Sequence, residues 1–257
     1  DLALSIDSRL QQLAFRELKA AIDAHRAKAG GLVVLDVATG EILALANYPT
    51  FNPNRRDGKV APERMRNRAL TDVFEPGSTM KPFTAAAALE AGAVRPDTMI
   101  ATAPGSLTIS GRTIRDAHPV GTLTFEQVIQ KSSNVGTAKV ALGLPAERMW
   151  RTLSDAGFGA VPRTGFPGEV SGRLRPATSR RLEQATISYG HGISANLVQL
   201  ARGYTIFSSD GELKPVTLFK TTGEVAGRPV IKPETARAVR RMLELAAQTG
   251  GTAPKAQ

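Results

Sequence analysis

Residues 74–89 read Phe-Glu-Pro-Gly-Ser-Thr-Met-Lys-Pro-Phe-Thr-Ala-Ala-Ala-Ala-Leu, and no other part of the chain constrains the structure as much. Pro76 and Gly77 predict a turn, because proline fixes φ and glycine adopts backbone conformations closed to other residues. From Ser78 to Ala91 almost every residue is small or apolar. Such a composition is typical of a helix buried over most of its circumference. We therefore expect a turn followed by a central helix.

Ser78 and Lys81 lie three residues apart at the start of this helix, so their side chains share one face. Ser78 falls in the first turn, where backbone N–H groups lack helical partners and the helix dipole favours negative charge. That position suits a nucleophile whose attack creates an oxyanion. Lys81 is the only base that the local sequence offers to the hydroxyl. An ordinary lysine has a pKa of about 10.4, and we expect the apolar surroundings to lower it.

A second polar motif, Lys131-Ser132-Ser133-Asn134, lies between two predicted helices. Ser132 and Asn134 are two residues apart, so in an extended or tight-loop geometry both side chains face the same side. A hydroxyl in that place can relay a proton to and from a leaving group. A carboxamide offers both a donor and an acceptor, which is enough to orient a substrate amide.

Each motif also has a purely structural interpretation. A serine and a lysine at this spacing commonly belong to a solvated helix surface, although the apolar run after Lys81 argues against that here. Serine and asparagine are favoured N-caps whatever the function of the protein. Ser132 and Asn134 are therefore candidates for helix capping as well as for chemistry.

The rest of the chain predicts a mixture of helices and strands. Asp7 is the expected cap of an amphipathic first helix, and a polar loop is expected from Pro49 to Arg68. Thr124 and Gln127 form a capping-box pattern. The predicted helices span about 7–28, 78–91, 124–131, 134–142, 196–208 and 233–247. The predicted strands span 32–36 and 41–46, which form a hairpin, and 213–220 and 225–231 around Thr222-Gly223.

Composition excludes several classes of function for this 257-residue chain. It has no cysteine, which rules out disulfides and thiolate metal sites, and its three histidines are far apart. We therefore expect no metal and no cofactor. The net charge of +10 comes from basic residues spread among acidic ones, with few aromatic residues for base stacking. We expect an anionic surface or substrate in place of nucleic acid. No signal peptide or membrane span is predicted, so any anchor is expected outside this sequence.

Taken together, the motifs resemble the signature of penicillin-binding proteins and class A β-lactamases, Ser-x-x-Lys with Ser-x-Asn and Lys-Thr-Gly. The surrounding sequence is most similar to class B penicillin-binding proteins, the monofunctional transpeptidases, and within them to the division-specific septal type. The similarity covers nearly the whole chain. The stretches that carry it are 39–44, 51–54, 67–69, 75–78, 114–116 and 130–134.

The resemblance implies a role for each motif residue. Ser78 would be the acylated nucleophile, Lys81 the base for acylation, and Ser132 the proton relay. Asn134 would contact the stem peptide or the β-lactam amide. Tyr189-Gly190-His191-Gly192 resembles a glycine-containing loop beside the family's cleft, so Tyr189, Gly190 and Gly192 would contact substrate, while His191 need not be catalytic. A close-packed turn is the alternative interpretation of this loop.

The resemblance also implies an activity and a fold. The activity is that of a peptidoglycan D,D-transpeptidase in septal wall synthesis, which is acylated by β-lactams. Its partners would be divisome proteins, including a septal glycosyltransferase, on the periplasmic side of the inner membrane. The fold is α+β, with an antiparallel sheet flanked by helices and an all-helical lobe. The sheet-bearing lobe is expected at about 1–76 and 209–257, and the helical lobe at about 77–208.

The third family motif, Lys-Thr-Gly, has no counterpart here. Lys220-Thr221-Thr222-Gly223 has an extra residue in a polar turn, and 248–252 (Gln-Thr-Gly-Gly-Thr) lacks the lysine and follows a helix. By the resemblance, the chain stops roughly 15 residues before the motif. We expect the terminal strands and helix to be missing, the hairpin at 32–46 to have an uncovered edge, and this exact chain to be a poor catalyst.

Two other functions remain open at this point. A β-lactamase would share the serine and lysine but needs a glutamate to activate water for deacylation, and Glu147 and Glu169 are the candidates that sequence alone leaves. A non-catalytic domain that senses penicillin or acts as a scaffold would use the acyl site only as a switch.

Overall fold

The computed structural model describes residues 2–54, 58, 60–177 and 180–256. The predicted loop from Pro49 to Arg68 lies partly outside these residues, and its described part contains a short helix, Pro62–Met65. The helices are α1 Ser8–His25, α2 Pro62–Met65, α3 Arg68–Thr71, α4 Lys81–Glu90, α5 Phe125–Gln130, α6 Asn134–Leu142, α7 Ala146–Asp155, α8 Arg181–Ile187, α9 Leu197–Ser208 and α10 Pro233–Ala247. The strands are β1 Gly30–Leu35, β2 Ile42–Tyr48, β3 Met99–Ala101, β4 Ser106–Ile109, β5 Arg112–Arg115, β6 Thr122–Thr124, β7 Glu212–Leu213 and β8 Arg228–Pro229.

Helix α1 and the β1–β2 hairpin form the first packed unit. Asp7 caps α1 by accepting hydrogen bonds from the N–H groups of Arg9 and Leu10. The buried stripe of α1 packs on the small residues of β2, with Leu18 and Ile22 against Ala44 and Ala46. Strands β1 and β2 pair antiparallel, and within the described residues they form a two-stranded sheet. The predicted first helix and hairpin are therefore present, with ends shifted by a few residues.

The main core surrounds α4. Every residue from Lys81 to Ala88 is buried, as the run of small and apolar residues predicts. The Phe83 ring packs edge-on against the rings of Phe158 and Tyr204, at centroid distances of 5.0 and 5.4 Å. Helix α10 contributes Val239 and Met242 to the same core and packs on α4, α5 and α9. Helix α4 is thus part of the largest cluster of buried apolar residues that the structure describes.

The mixed helix and sheet architecture confirms the predicted α+β class. Region 77–208 is not helical throughout, because it also contains the antiparallel pairs β3–β6 and β4–β5. The sequence analysis missed both pairs, together with α7 and α8. The division into two lobes stays a prediction. Helix α10, which the sequence analysis assigned to the sheet-bearing lobe, packs against helices of region 77–208.

The predicted strands at 213–220 and 225–231 are wrong in extent. Only the two-residue strands β7 and β8 pair with each other there. The backbone between them bonds to several separate segments instead: Thr217 N–H donates to Gly40 O, Leu218 N–H to Thr164 O, and Lys220 N–H to Ala3 O. Because the hydrogen bonds are spread over different partners, no regular ladder forms. No helix in the described ranges is long and apolar enough to cross a membrane.

Candidate active site

Ser78 lies in a 3-10 turn, Gly77–Met80, directly before α4. The predicted helix therefore starts differently from expectation, since its first turn is 3-10 and α4 begins at Lys81. Gly77 has a φ of +61°, a conformation that glycine adopts without strain. Ser78 is exposed, and its Oγ forms no hydrogen bond with any residue that the structure describes. The hydroxyl is thus presented to solvent.

Lys81 is the first residue of α4 and only 2% exposed. Its Nζ donates to the backbone oxygen of Ser132 at 2.5 Å and lies 2.9 Å from Ser132 Oγ. Burial lowers the pKa of Lys81 to about 8, because the charged amine loses its hydration, while the negative charge of Asp116 acts in the opposite direction. With that pKa, about one lysine in ten is neutral at pH 7, whereas for an ordinary lysine the fraction is about one in 2,500.

The loop between α5 and α6 holds Ser132 against Lys81. Ser132 has a φ of +54°, in the left-handed region that a serine rarely adopts. Ser133, and neither Ser132 nor Asn134, is the N-cap of α6, since its Oγ accepts from Gly136 N–H. The Ser132 hydroxyl therefore remains available to Lys81. Asn134 is half-buried at the first position of α6, and its Nδ2 donates to Arg115 O at 2.9 Å.

Asp116 belongs to the same site, although the sequence analysis gave it no role. Its carboxylate accepts from Ser133 Oγ at 2.8 Å and from Val135 N–H at 2.9 Å. It thereby ties the end of β5 to the loop that carries Ser132. The only signal in the sequence was its place in the family-like stretch 114–116, which carried no information about this contact.

The loop Tyr189–Gly192 lies against the turn that carries Ser78. Gly77 N–H donates to Gly190 O at 3.2 Å, and a Cβ on Gly190 would lie 2.1 Å from Gly77 O. Tyr189 is buried, and burial raises the pKa of its hydroxyl. The structure thus brings the loop to the turn that carries Ser78 and packs it there closely.

Other candidates of the sequence analysis are bonded to partners other than Lys81. Glu147 pairs with Arg151 on α7, and the Glu169 carboxylate accepts from Thr164 N–H. The Lys220-Thr221 stretch is bound by the carboxylate of Glu41, and Gly250 O accepts from Lys131 Nζ. In the described ranges, no cluster of His, Asp and Glu residues could hold a metal ion.

Lys81 and Ser132 are therefore in direct contact, and Ser78 lies in the turn that leads to Lys81. A partly neutral amine linked to a hydroxyl can accept a proton and pass it to a second group.

Residues 30–257 match the family model for the penicillin binding protein transpeptidase domain. A probable peptidoglycan D,D-transpeptidase PenA of Neisseria flavescens is 46% identical over 98% of the chain and 62% of that protein. The peptidoglycan D,D-transpeptidase FtsI of Escherichia coli is 43% identical over the whole chain and 43% of that protein.

Solved structures show the same likeness. The TP domain of Burkholderia pseudomallei penicillin-binding protein 3 is 48% identical, with a TM-score of 0.89 over 99% of this chain and 73% of that one. A structure described as a peptidoglycan glycosyltransferase from Burkholderia ambifaria is 50% identical, with a TM-score of 0.90 over 99% of this chain and 77% of that one. The chain spans 62% of the length of the Neisseria flavescens relative and 43% of the length of the Escherichia coli relative.

Proposed function

The chain belongs to the class B penicillin-binding protein transpeptidase domains, and we propose that it provides the acyl-transfer site of a peptidoglycan D,D-transpeptidase. The observation that carries the proposal is the contact between the buried amine of Lys81 and Ser132, one turn from the exposed hydroxyl of Ser78. The match to family members along the whole chain supports the same assignment.

In the proposed reaction, Ser78 Oγ attacks the carbonyl carbon of the terminal D,D-peptide bond of a stem peptide. Neutral Lys81 Nζ takes the hydroxyl proton, and the C–O bond forms. The C–N bond then breaks, and the leaving amine receives a proton from Lys81 through Ser132 Oγ. An amine of a second stem peptide attacks the ester, gives up its proton along the same route, and regenerates the Ser78 hydroxyl.

A β-lactam follows the first half of this sequence. Attack by Ser78 opens the ring C–N bond, but the nitrogen remains attached to the acyl group and blocks the second attack. The adduct is therefore expected to be long-lived. Asn134, at the start of α6, is proposed to orient the amide of either substrate, because its carboxamide has both a donor and an acceptor.

The resemblance of the sequence to the septal type supports further assignments. We infer a role in division-site wall synthesis on the periplasmic side of the inner membrane, with divisome proteins, including a septal glycosyltransferase, as partners. The names of the FtsI and PenA relatives support the wall-synthesis part of this assignment. The net charge of +10 is consistent with a location beside an anionic surface.

Labelling of the full-length protein with a fluorescent penicillin tests the nucleophile. Ser78→Ala should abolish the label, since Thr84, the hydroxyl one turn after Lys81, is buried and donates to Ser188 O. Ser132→Ala should slow acylation about 100-fold, because proton transfer by a positioned group contributes about 10²–10⁴. Ser8→Ala, at an exposed serine on α1, is the matched control and should label as the wild type does.

Persistence of the label distinguishes the enzyme classes. A long-lived adduct and cross-linking of stem peptides by the wild type are the expected results. Rapid release of hydrolysed penicillin would favour a β-lactamase and contradict the proposal. Stable acylation without any transpeptidation would favour a penicillin sensor. Full labelling of Ser78→Ala would refute the assignment of the nucleophile.

A further inference from the structure

The carboxylate of Glu75 joins the loop Tyr189–Gly192 to the turn that carries Ser78. One oxygen, Oε1, accepts from Gly192 N–H at 2.8 Å. The other, Oε2, lies 3.0 Å from His191 Nδ1. The Gly192 hydrogen bond, followed by that of His191, lowers the pKa of Glu75, so the carboxylate is ionised at neutral pH. An ionised carboxylate only accepts hydrogen bonds, and His191 Nδ1 is therefore the donor.

A second contact between the loop and the turn is made by backbone alone. Gly77 N–H donates to Gly190 O, which fixes the Pro76–Gly77 peptide group, one residue before Ser78. Gly190 has a φ of +87°, and a Cβ at this position would meet Gly77 O, N and C at 2.1 to 2.6 Å. The two backbones are thus as close as glycine permits, and a small displacement of the loop would be transmitted to Ser78.

Both ends of the loop are anchored independently of Glu75. Before it, Thr84 Oγ1 donates to Ser188 O at 2.8 Å in the interior. After it, Phe74 and Ala195 exchange two backbone hydrogen bonds, at 3.0 and 3.1 Å. Between these anchors, His191 and Gly192 are exposed. Glu75 bonds to this exposed part of the loop, where the His191 ring also contacts Tyr189 and the His191 backbone N–H donates to Thr186 O.

We propose that Glu75 is a positioning residue for acyl transfer: by binding Gly192 N–H and His191, it holds the loop Tyr189–Gly192 against Gly77 and so fixes the backbone that presents Ser78. This inference rests on the proposed role of Ser78 as nucleophile. Misplacement of a reacting group by about 1 Å can cost about 100-fold in rate. In this arrangement Gly190 O is bonded to Gly77 N–H, and Gly192 N–H is bonded to the Glu75 carboxylate.

Three substitutions separate geometry from charge. Glu75→Gln keeps the length of the side chain, and its amide oxygen can still accept from Gly192 N–H, but the charge is lost. Glu75→Asp keeps the charge but withdraws the carboxylate by one methylene, so it cannot reach both donors. Glu75→Ala removes both features. Glu147→Ala is the matched control, because Glu147 is a similarly exposed glutamate that pairs with Arg151 on α7.

The measurement is the acylation of the full-length protein by a fluorescent penicillin over a range of concentrations, which separates non-covalent affinity from the acylation rate constant. Glu75→Gln should acylate within about 3-fold of the wild-type rate. Glu75→Asp and Glu75→Ala should be at least about 10-fold slower, with affinity changed by less than about 3-fold. Glu147→Ala should match the wild type, and the melting temperature of each variant is measured in parallel.

Each outcome has a clear meaning. Acylation of Glu75→Asp and Glu75→Ala at the wild-type rate would overturn the proposal. A slower acylation of Glu75→Gln that Glu75→Asp does not share would also overturn it, because that pattern indicates an effect of charge. If Glu75→Ala does not fold, the comparison of Glu75→Asp with Glu75→Gln decides. Labelling of Ser78→Ala would refute the nucleophile instead, so failure of this inference is distinguishable from failure of the proposed function.

Discussion

Among the lysines that the structure describes, two are almost completely buried, and their surroundings differ. Lys214 is 4% exposed and donates to Val225 O, with carboxylate oxygens of Glu212 and Glu224 at 3.4 and 3.8 Å. Its charge is therefore compensated by ion pairs. Lys81 is 2% exposed and has no carboxylate at ion-pair distance within the described part of the chain. Only uncharged oxygens of Ser132 face its amine, so burial lowers its pKa and makes it a usable base.

The pKa of Lys81 predicts the pH dependence of acylation. The neutral amine is the active form, so the acylation rate should rise with pH and level off once the amine is fully neutral. The midpoint of this rise should lie at about pH 8. Asp116 raises the pKa of Lys81 through its negative charge. Asp116→Asn removes that charge and should therefore move the midpoint to lower pH. Stopped-flow acylation at several pH values measures this.

The midpoint separates this electrostatic effect from the loss of a contact. Asp116→Asn also disturbs the hydrogen bond from Ser133, which changes the plateau rate and leaves the sign of the midpoint shift unaffected. Asp97→Asn, an exposed aspartate paired with Arg95, is the control and should leave the midpoint in place. A midpoint for Asp116→Asn at or above that of the wild type would contradict the assignment of Lys81 as the base.

Helices α5 and α9 both start with a capping box, and the two caps differ in burial. Thr124 caps α5 near the surface, and its Oγ1 accepts from Gln127 N–H. Asn196 caps α9 with 0% exposure, and its Nδ2 also donates to Leu70 O and Val170 O. Thr124→Ala should cost about 1 kcal/mol of unfolding free energy. Asn196→Ala should cost about 3 kcal/mol, because it leaves buried acceptors unsatisfied as well. Urea unfolding measures both, and equal losses would show that burial does not matter here.

The same caps explain which elements the sequence predicts well. Asp7, the Thr124–Gln127 pair and Asn196 are local signals, and the helices that they start lie within a few residues of their predicted places. Strands β3 and β6 are three residues each and pair across 20 intervening residues, 102–121, so no local pattern predicts them. In the site, the motifs predict Ser78, Lys81 and Ser132, and the structure places Lys81 against Ser132. The contacts of Glu75 and Asp116 join segments distant in sequence, and their side-chain chemistry alone does not indicate the partner.

At the scale of the whole molecule, single buried groups join segments that no regular sheet connects. Glu41 precedes β2 and is 2% exposed. Its carboxylate accepts from Lys220 Nζ at 2.8 Å, from Thr221 N–H at 2.6 Å and from Thr221 Oγ1 at 2.9 Å. The stretch that resembles a Lys-Thr-Gly motif therefore serves to attach the segment after β7 to the β1–β2 hairpin.

This attachment predicts a specific sensitivity to acid. The hydrogen bond from Lys220, followed by that from Thr221 N–H, lowers the pKa of Glu41 below its usual 4.5. The unfolded chain then binds the proton more readily than the folded one, so this stabilisation is present above about pH 4.5 and is lost as the pH falls through the folded-state pKa. Glu41→Gln should be less stable than the wild type at pH 7, and the difference should shrink as the pH falls below 4.5. Thermal unfolding across pH 3.5–7 measures this, with Glu147→Gln expected to follow the wild type throughout. A stability difference that stays constant over this range would mean that Glu41 acts through its shape, with no contribution from its charge.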